Sequence, residues 1–346
     1  MKHKIILPIF LLLALLSCKE DNHLINKNTI SFSKFPSEKL ISFKELYDFK
    51  EGVPSKLIIV DSVLIIHNNI KGSKSFLYNY YINNNTVSKG YLNKGRGPNE
   101  ALGVRSIGIK GNTLWVYDVT LKKILTIDKK TAIVNNVKIV FNEYPYKEYF
   151  YAMSFKDSLN YFTIGDKKSN LKIKEKNLIS DKQMNEFGEF GNIPKNMSIG
   201  SYKSAHQSFI FVKPSSDKLV LSYRFTDTME MFNIKTGKST AIQGPEVFNV
   251  SFEPIRETML KTDKTRCAFI DGSVTDKYIY LAYSGASYNN PNKYSGKSIY
   301  IYDWDGNPIR KLNFKKNIST FTISKDDNTI YAYDIDTGFI INANIN

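Results

Sequence analysis

A strand–turn–strand pattern that recurs about every fifty residues constrains the fold of this chain more than any other feature. Each copy is a short run rich in Ile, Val, Tyr and Phe, then a polar turn, then a second apolar run that carries aromatic residues. Such runs, bounded by turn residues, are typical of β-strands. The six copies begin near residues 56, 105, 150, 208, 266 and 319.

The intervals between the copies predict the architecture. They are 49, 45, 58, 58 and 53 residues long, so each has room for two further strands after the first pair. Four strands in each of six units predict an all-β, six-bladed β-propeller. Two packed sheets or a β-solenoid are the alternatives, but a regular solenoid has shorter repeats and a sandwich does not need six copies.

The ends of the chain predict how the ring closes. After the first strand of the sixth copy only two more strands fit, at residues 329–334 and 338–344, so the last blade lacks its outer strand. Residues 29–35 have strand character, and we expect this N-terminal strand to complete the last blade. Closure of this kind removes exposed sheet edges. The propeller domain is therefore expected to span residues 29–346.

A short motif adds a family resemblance to the repeat layout. The second copy is preceded by Gly95-Arg96-Gly97-Pro98-Asn99-Glu100, which is similar to the G-x-G-P-G-E-F signature and to the glycine turn of NHL repeats. Asn99 replaces a glycine, but Asn tolerates a positive φ, so we expect the turn to persist. Ala101 replaces the aromatic residue. The chain resembles the TolB-like six-bladed propeller lipoproteins of the Bacteroidetes type, a resemblance that implies the fold and no common activity.

The first residues predict export and lipidation. Lys2 and Lys4 precede an apolar run at residues 5–16, and Leu15-Leu16-Ser17-Cys18 resembles a bacterial lipobox. The run is twelve residues long and contains Pro8, whereas a membrane-spanning helix needs about 20 apolar residues. We therefore expect a signal peptide at residues 1–17, lipidation at Cys18 and a tether at residues 18–28.

Lipidation would place the protein in the bacterial envelope, anchored to a membrane. Lys19-Glu20-Asp21 resembles the charged tag of surface lipoproteins, so we expect an outer-membrane location, with the periplasmic and the cell-surface orientation both open. The formal charge is +15, but export argues against nucleic acid as the partner. An anionic membrane surface, an acidic glycan or an envelope protein fits better. We expect a monomer.

Catalytic motifs do not stand out in the sequence. The chain has four histidines and two cysteines, without the spacing of a metal or nucleophile motif, and we expect neither a cofactor nor a metal. Lipidation of Cys18 would leave Cys267 unpaired in an apolar run, where it is expected to be a small core residue. His67 is expected to be a packing residue, whereas His206 precedes the fourth copy and is a candidate for ligand contact.

The arginines predict a binding face. Only 6 of the 48 basic residues are arginines, and their planar guanidinium groups suit carboxylate or phosphate better than lysine does. Five of them map to the loops on one face of the predicted ring: Arg96, Arg105, Arg224, Arg256 and Arg266. The alternative is that they form ion pairs between blades with Glu100, Asp227, Glu257 and Asp263.

A long loop at residues 284–297 belongs to the same face and carries Tyr288 and Tyr294. Functional residues concentrate on such loops. We therefore predict a binding or scaffold protein rather than an enzyme, with its ligand or protein contact on the arginine-bearing face. The alternative is a propeller lactonase, lyase or glycan hydrolase that uses carboxylates at the central channel, for which Asp61 and Asp271 are the inner-strand candidates.

Overall fold

The computed structural model describes residues 29–346 except residues 71, 136, 138, 196 and 216. These residues form 29 strands and two short helices. Within the described ranges, neither helix has the length and apolar composition that a membrane span requires. The predicted signal peptide, the tether and Cys18 lie outside the described residues and stay predictions.

Three short strands precede the first blade: β1 (Thr29–Ser31), β2 (Glu38–Leu40) and β3 (Lys44–Asp48). Blade 1 consists of β4 (Pro54–Val60), β5 (Val63–Asn68), β6 (Ser75–Tyr81), β7 (Thr86–Val87), β8 (Tyr91–Lys94) and β9 (Glu100–Ala101). Blade 2 consists of β10 (Val104–Lys110), β11 (Thr113–Asp118), β12 (Lys123–Asp128), helix α1 (Lys129–Ile133) and β13 (Asn142–Pro145). Blade 3 consists of β14 (Ala152–Phe155), β15 (Asn160–Ile164), β16 (Leu171–Asn177) and β17 (Gln183–Glu189).

The second half of the chain continues the series. Helix α2 (Ile199–Ala205) leads into blade 4, which consists of β18 (Ser208–Val212), β19 (Lys218–Tyr223), β20 (Thr228–Asn233) and β21 (Ser239–Gln243). A hairpin follows, formed by β22 (Phe252–Ile255) and β23 (Thr258–Lys261). Blades 5 and 6 consist of β24 (Phe269–Val274), β25 (Tyr278–Tyr283), β26 (Gly296–Asp303), β27 (Pro308–Ile323), β28 (Thr329–Asp334) and β29 (Phe339–Asn344).

Strand β27 joins two blades. Its first half pairs with β26 as the outer strand of blade 5, and its second half pairs with β28 as the inner strand of blade 6. The inner strands contact one another in the order β4, β10, β14, β18, β24 and β27, and β27 contacts β4. The described strands therefore close a ring of six blades, which confirms the predicted fold.

The core lies between the blades. Six hydrophobic clusters fill the six interfaces between neighbouring blades. Val60 and Leu125 belong to the cluster between blades 1 and 2, while Leu57 and Tyr333 belong to the one that joins blade 6 to blade 1. Because a second strand packs between two neighbouring blades, both of its faces are buried, and all six residues of β5 are buried. This explains the continuous apolar runs in the sequence.

The last blade is completed by an N-terminal strand, but not by the one predicted. Strand β3 pairs antiparallel with β29 and closes blade 6. Strand β1, which begins the predicted closing segment, instead pairs in parallel with β21 at the outer edge of blade 4. Strand β2 pairs in parallel with β27 on blade 5. Residues 29–48 thus form a strap along the outer edges of three blades before they close the ring.

Phe35 anchors this strap and accounts for its path. Its side chain is buried, and its ring lies 4.8 Å from that of Tyr300 and 5.6 Å from that of Tyr302 on blade 5. Burial of this aromatic ring draws residues 29–35 to the seam between blades 4 and 5, because an aromatic side chain gains more from burial than a three-residue edge strand gains from pairing. The closing role is therefore left to β3.

Candidate functional site

The loops between blades and the turns between the second and third strands of each blade share one face of the ring, here called the loop face. Aspartates at or just after the ends of second strands organise this face: Asp118 is the last residue of β11, and Asp227 lies in the turn between β19 and β20. Asp118 accepts hydrogen bonds from the backbone N–H groups of Leu102, Gly103, Thr120 and Leu121. Asp227 accepts them from Glu246 and Val247 at 2.9 and 3.0 Å. These buried carboxylates tie each turn to the preceding or following loop between blades.

Arg224 follows β19 at the centre of the candidate site. Its guanidinium carbon lies 5.2 Å from the ring centroid of Phe209 and 5.6 Å from that of Tyr294. Burial lowers the pKa of Arg224, and the nearby charge of Arg105 lowers it further. Among the described residues, no carboxylate forms an ion pair with Arg224. The structure therefore holds a partly buried cation between two aromatic rings.

Two tyrosines and two lysines extend this group. The Lys293 ammonium lies 4.0 Å from the ring centroid of Tyr288 and 5.6 Å from that of Tyr294. The Lys261 ammonium lies 5.1 Å from the ring of Tyr288. Burial and a hydrogen bond with Tyr288 raise the pKa of Tyr294 to about 12, so its hydroxyl stays protonated and uncharged. We call Arg224, Lys261, Tyr288, Lys293 and Tyr294 the cation–aromatic site.

Cys267 forms part of the floor of this site. It is buried in a small cluster with Ala205, Phe225 and Met259, against which Tyr288 packs. Burial raises the pKa of its thiol, although the charges of Arg224, Lys293 and Lys261 act in the opposite direction. The predicted role of Cys267 as a small core residue is confirmed.

The other four arginines that were predicted to form the binding face lie in surroundings different from those of Arg224. Arg105 is exposed on the inner strand β10, close enough for its charge to act on Arg224. Arg96 is exposed between β8 and β9, and Arg256 is exposed at the tip of the β22–β23 hairpin with a φ of 52°. Arg266 was expected to start the inner strand of blade 5, but that strand begins only at Phe269.

Arg266 is held by neighbouring groups. Its guanidinium forms an ion pair with Glu246, donates from Nε to the Gly285 carbonyl oxygen at 3.0 Å and stacks at 4.2 Å on the ring of Phe248. These contacts join the loop between blades 4 and 5 to the loop at residues 284–297. The alternative of a structural ion pair thus describes Arg266, with Glu246 as a partner that the sequence did not single out.

His206 is buried below the loop face. Its Nδ1 atom lies 2.8 Å from the Tyr202 carbonyl oxygen, and its ring lies 4.2 Å from the ring of Tyr202. It lines a small internal cavity between blades 3 and 4 together with Lys172 and Lys203. His206 therefore lies apart from the cation–aromatic residues in a different contact network.

The central channel is crossed by lysines. Lys56 from blade 1 donates to Asp271 on blade 5 at 2.7 Å and to the Gly272 carbonyl oxygen at 2.6 Å. Lys110 from blade 2 donates to the carbonyl oxygens of Lys213 and Pro214 beside blade 4, both at 2.9 Å. Of the two predicted inner-strand carboxylates, Asp271 is paired in this way. Asp61 is exposed in the turn after β4, on the opposite side of the ring from the loop face.

Metal ligands do not cluster in the part of the chain that the structure describes. No group of three or more His, Cys, Asp or Glu residues there could hold a metal ion. The buried aspartates of the loop face are instead occupied with backbone N–H groups, as Asp118 and Asp227 show.

The family comparison agrees with this architecture. The sequence model described as TolB-like 6-blade propeller-like matches residues 31–326. The chain belongs to the TolB-like family. The predicted resemblance is confirmed at this level, while membership of the Bacteroidetes lipoprotein type stays a prediction. No curated protein matches the sequence.

Solved structures place this TolB-like propeller among other proteins of similar fold. A member of the DUF4221 family from Bacteroides vulgatus has a TM-score of 0.55 and 10% identity, and the match covers 88% of this chain and 97% of that chain. The β-propeller domain of Cps50 (Swd1) from Myceliophteria thermophila has a TM-score of 0.49 and 9% identity, covering 88% of this chain and 100% of that one. At 10% identity, the similarity to the DUF4221 member concerns the fold alone.

The motif that suggested the TolB-like family forms a tight turn. Asn99 has a φ of 59°, as expected for a residue in a glycine position. Glu100 accepts a hydrogen bond from the Gly97 N–H at 2.7 Å. The side chain of Asn99 accepts from the Phe141 N–H at 2.6 Å and so links blade 1 to blade 2. This segment stabilises a loop between blades.

Sequence reasoning identified part of the cation–aromatic site of this TolB-like propeller. Arg224, Tyr288 and Tyr294 were predicted, and the structure brings them together. Lys261 and Lys293 were missed, because lysine is so frequent in this chain that single lysines carry little information. Lys293 could have been identified from its position next to Tyr294 in a long loop.

Proposed function

We propose that this chain is a binding module of the bacterial envelope that holds an anionic partner on its loop face. The observation that carries the proposal is the partly buried Arg224 between the rings of Phe209 and Tyr294, with no carboxylate partner among the described residues. A charge that loses hydration without a counterion is costly. An anion that binds beside Arg224 would supply that counterion.

Other cations of the chain have carboxylate partners, and this difference supports an anion as the partner of Arg224. Lys172 is almost fully buried and pairs with Glu230 at 2.7 Å. Lys316 pairs with Asp334 and Glu45, each at 3.0 Å. In the described chain, Arg224, Lys261 and Lys293 lack such partners although they lie close together, which raises the positive potential at one place. Concentrated charge of one sign at a loop surface favours an oppositely charged ligand.

The tyrosines add directional recognition. Tyr294 is 43% exposed, and its hydroxyl stays protonated, so the ring borders the site without a negative charge that would repel an anion. The ring of Tyr288 supports the Lys293 ammonium through a cation–π contact. Lys293 also donates to the Tyr288 carbonyl oxygen at 2.8 Å, which fixes the ammonium in place. The residues thus offer charge and oriented donors, the elements of anion binding.

A binding role fits these residues better than the enzyme alternative. Hydrolysis or elimination in a propeller channel would require free carboxylates that act as acid and base. Asp271 is engaged by Lys56 and Thr320, and Asp118 and Asp227 are engaged by backbone N–H groups. The lipobox sequence at Cys18 supports the envelope location and a lipid anchor for this module.

Salt-dependent titration with an acidic glycan tests the proposal. Purified protein is titrated with hyaluronan oligosaccharide and with glucuronic acid at low and high ionic strength, by calorimetry. We expect binding that weakens with salt, because exposed charges are screened. Arg224→Gln should reduce affinity about tenfold, the equivalent of about 1.4 kcal/mol.

The matched control is Lys235→Gln, which removes one positive charge from an exposed turn on the opposite face. This variant should bind as the parent does. If Arg224→Gln keeps the parent affinity while its melting temperature is unchanged, the proposal is wrong.

A further inference from the structure

A polar cleft lies beside the cation–aromatic site, between blades 5 and 6. Its volume is about 320 Å³, and its lining includes Asn290, Asn292, Ser295, Lys297, Asn317 and Asp336. Ligand clefts in proteins typically measure about 300–1,000 Å³. The cleft therefore has room for one or two sugar rings.

The lining offers hydrogen-bond groups that the described chain leaves unused. Neither the Asn292 carboxamide nor the Lys297 ammonium has a hydrogen-bond partner among the described residues. Asn317 donates to Asp336 Oδ1 only at 3.4 Å, which leaves Asp336 Oδ2 open. A carboxamide donates and accepts at the same time, which matches a pair of neighbouring sugar hydroxyls.

One loop connects this cleft to the cation–aromatic site. The loop at residues 284–297 places Tyr288 and Tyr294 beside Arg224 on one side, and Asn290, Asn292 and Ser295 in the cleft on the other. Tyr294 and Ser295 are consecutive residues, so their Cα atoms are about 3.8 Å apart. A ligand longer than one sugar ring would reach both places.

The two places differ in charge. The cation–aromatic site carries three positive charges from Arg224, Lys261 and Lys293, without a carboxylate partner among the described residues. In the cleft the charge of Lys297 is balanced by that of Asp336. The matching ligand has an anionic group at one end and neutral hydroxyl-rich surface at the other.

We propose that the cleft is a neutral-sugar subsite and that the ligand of the loop face is an acidic oligosaccharide. This proposal rests on the anion-binding function proposed above. The uronate or sulfate group would lie against Arg224 and Lys293, and the adjoining neutral sugar would bind in the cleft through Asn292 and Lys297. An acidic peptide fits less well, because a carboxylate on every residue would place negative charge beside Asp336.

Three probes separate the two parts of the site. Hyaluronan tetrasaccharide alternates uronate with a neutral amino sugar, glucuronic acid represents the anionic part alone, and hexaglutamate represents an acidic peptide. The tetrasaccharide is expected to bind the parent protein at least tenfold more tightly than glucuronic acid. Hexaglutamate should bind more weakly than the tetrasaccharide.

The double variant Asn292→Ala/Lys297→Ala tests the cleft. We expect it to reduce tetrasaccharide affinity about tenfold, as the loss of one or two hydrogen bonds predicts, and to leave glucuronic acid affinity within twofold. Asn84→Ala, an exposed turn residue on the opposite face, is the control and should change neither affinity. Melting temperatures of all variants show whether the fold is kept.

The outcomes distinguish this inference from the proposed function. If glucuronic acid binds with dependence on Arg224 but the tetrasaccharide binds no more tightly, or if the double variant has no effect, the subsite is wrong and the anion site stands. Hexaglutamate binding as tight as the tetrasaccharide would overturn the glycan assignment. If neither acidic sugar binds and Arg224→Gln changes nothing, the anion-binding function itself is wrong.

Discussion

The Lys56 ammonium and the Asp271 carboxylate, 215 positions apart in the chain, lie 2.7 Å from each other between the inner strands of blades 1 and 5. Asp271 also accepts hydrogen bonds from the Thr320 hydroxyl at 2.7 Å and the Phe321 N–H at 3.2 Å, both on blade 6. One carboxylate thus links three blades at the place where the ring closes. In a ring of repeats that each contact only their neighbours, such a link restrains opening.

Removal of either partner should therefore destabilise the whole ring. Asp271→Asn and Lys56→Met are each expected to lower the free energy of unfolding by about 2–3 kcal/mol, because each leaves a poorly exposed charge without its partner. The double variant should lose less than the sum of the two, since the pair acts as a unit. Urea denaturation measures all three. The exposed pair Lys50–Asp48 provides a control, for which Lys50→Met should change stability by less than about 0.5 kcal/mol.

Closure by β3 gives a second prediction. Tyr47 pairs with Ile340 in the ladder between β3 and β29. Tyr47→Pro removes a backbone donor from this ladder and should destabilise the domain by about 3 kcal/mol or more. Proline at Thr29, in the three-residue β1, should have a much smaller effect. Equal losses of melting temperature in the two variants would contradict the assigned closure.

The number of blades could be predicted from the sequence, whereas the strand that closes the ring could not. Six copies of an apolar pair of strands predict six blades, because each second strand must be buried on both faces wherever it lies in the ring. The closing strand was misassigned because residues 29–35 and 44–48 both have strand character. The strand with which each segment pairs is decided by the burial of Phe35 against Tyr300 and Tyr302. This contact joins distant parts of the chain, so it cannot be predicted from a local sequence pattern.

The cation–aromatic site was predicted only in part, again because contacts between distant residues decide which side chains belong to it. Because arginine is scarce in this sequence, Arg224 and Arg266 were predicted alike as ligand-binding residues. Both lie where blades 4 and 5 meet. Their roles differ because Glu246 in the intervening loop reaches Arg266 and not Arg224. Loop conformation decides such pairing, and it depends on Asp227 holding the backbone at Glu246 and Val247.

His67 gives a pH dependence. Burial lowers the pKa of its imidazole to about 3 in the folded protein, compared with about 6.5 in an unfolded chain. Between these values the unfolded state binds a proton that the folded state does not, so stability falls as the pH drops from about 6.5 towards 3, by at most about 1.4 kcal/mol per pH unit. His67→Gln should remove this slope. Unfolding curves at pH 7 and at pH 5 measure it, and equal slopes in the parent and the variant would contradict the prediction.

Lipidation of Cys18 is tested by mass. The lipobox predicts that the mature protein begins at Cys18 with diacyl or triacyl glyceryl cysteine. Intact-mass analysis of protein from native membranes should show this mass, and Cys18→Ala should release a soluble or unprocessed product. A mature product that retains residues 1–17 would show that the prediction is wrong. Protease treatment of whole cells then separates the surface from the periplasmic orientation.

Arg266 and Arg224 should respond in opposite ways to the same substitution. Arg266→Gln loses the ion pair with Glu246 and the contact with Phe248, so we expect a stability loss of about 1 kcal/mol and unchanged glycan affinity of the folded protein.

Arg224→Gln loses the cation–π contacts with Phe209 and Tyr294 but also removes a partly buried charge that lacks a described carboxylate partner. The two effects oppose each other, so stability should change by less than about 0.5 kcal/mol while affinity falls about tenfold. Melting temperature and calorimetric affinity are measured on both variants. If Arg266→Gln lowers the affinity of the folded protein as much as Arg224→Gln does, then Arg266 belongs to the binding site and its assignment as a structural ion pair is wrong.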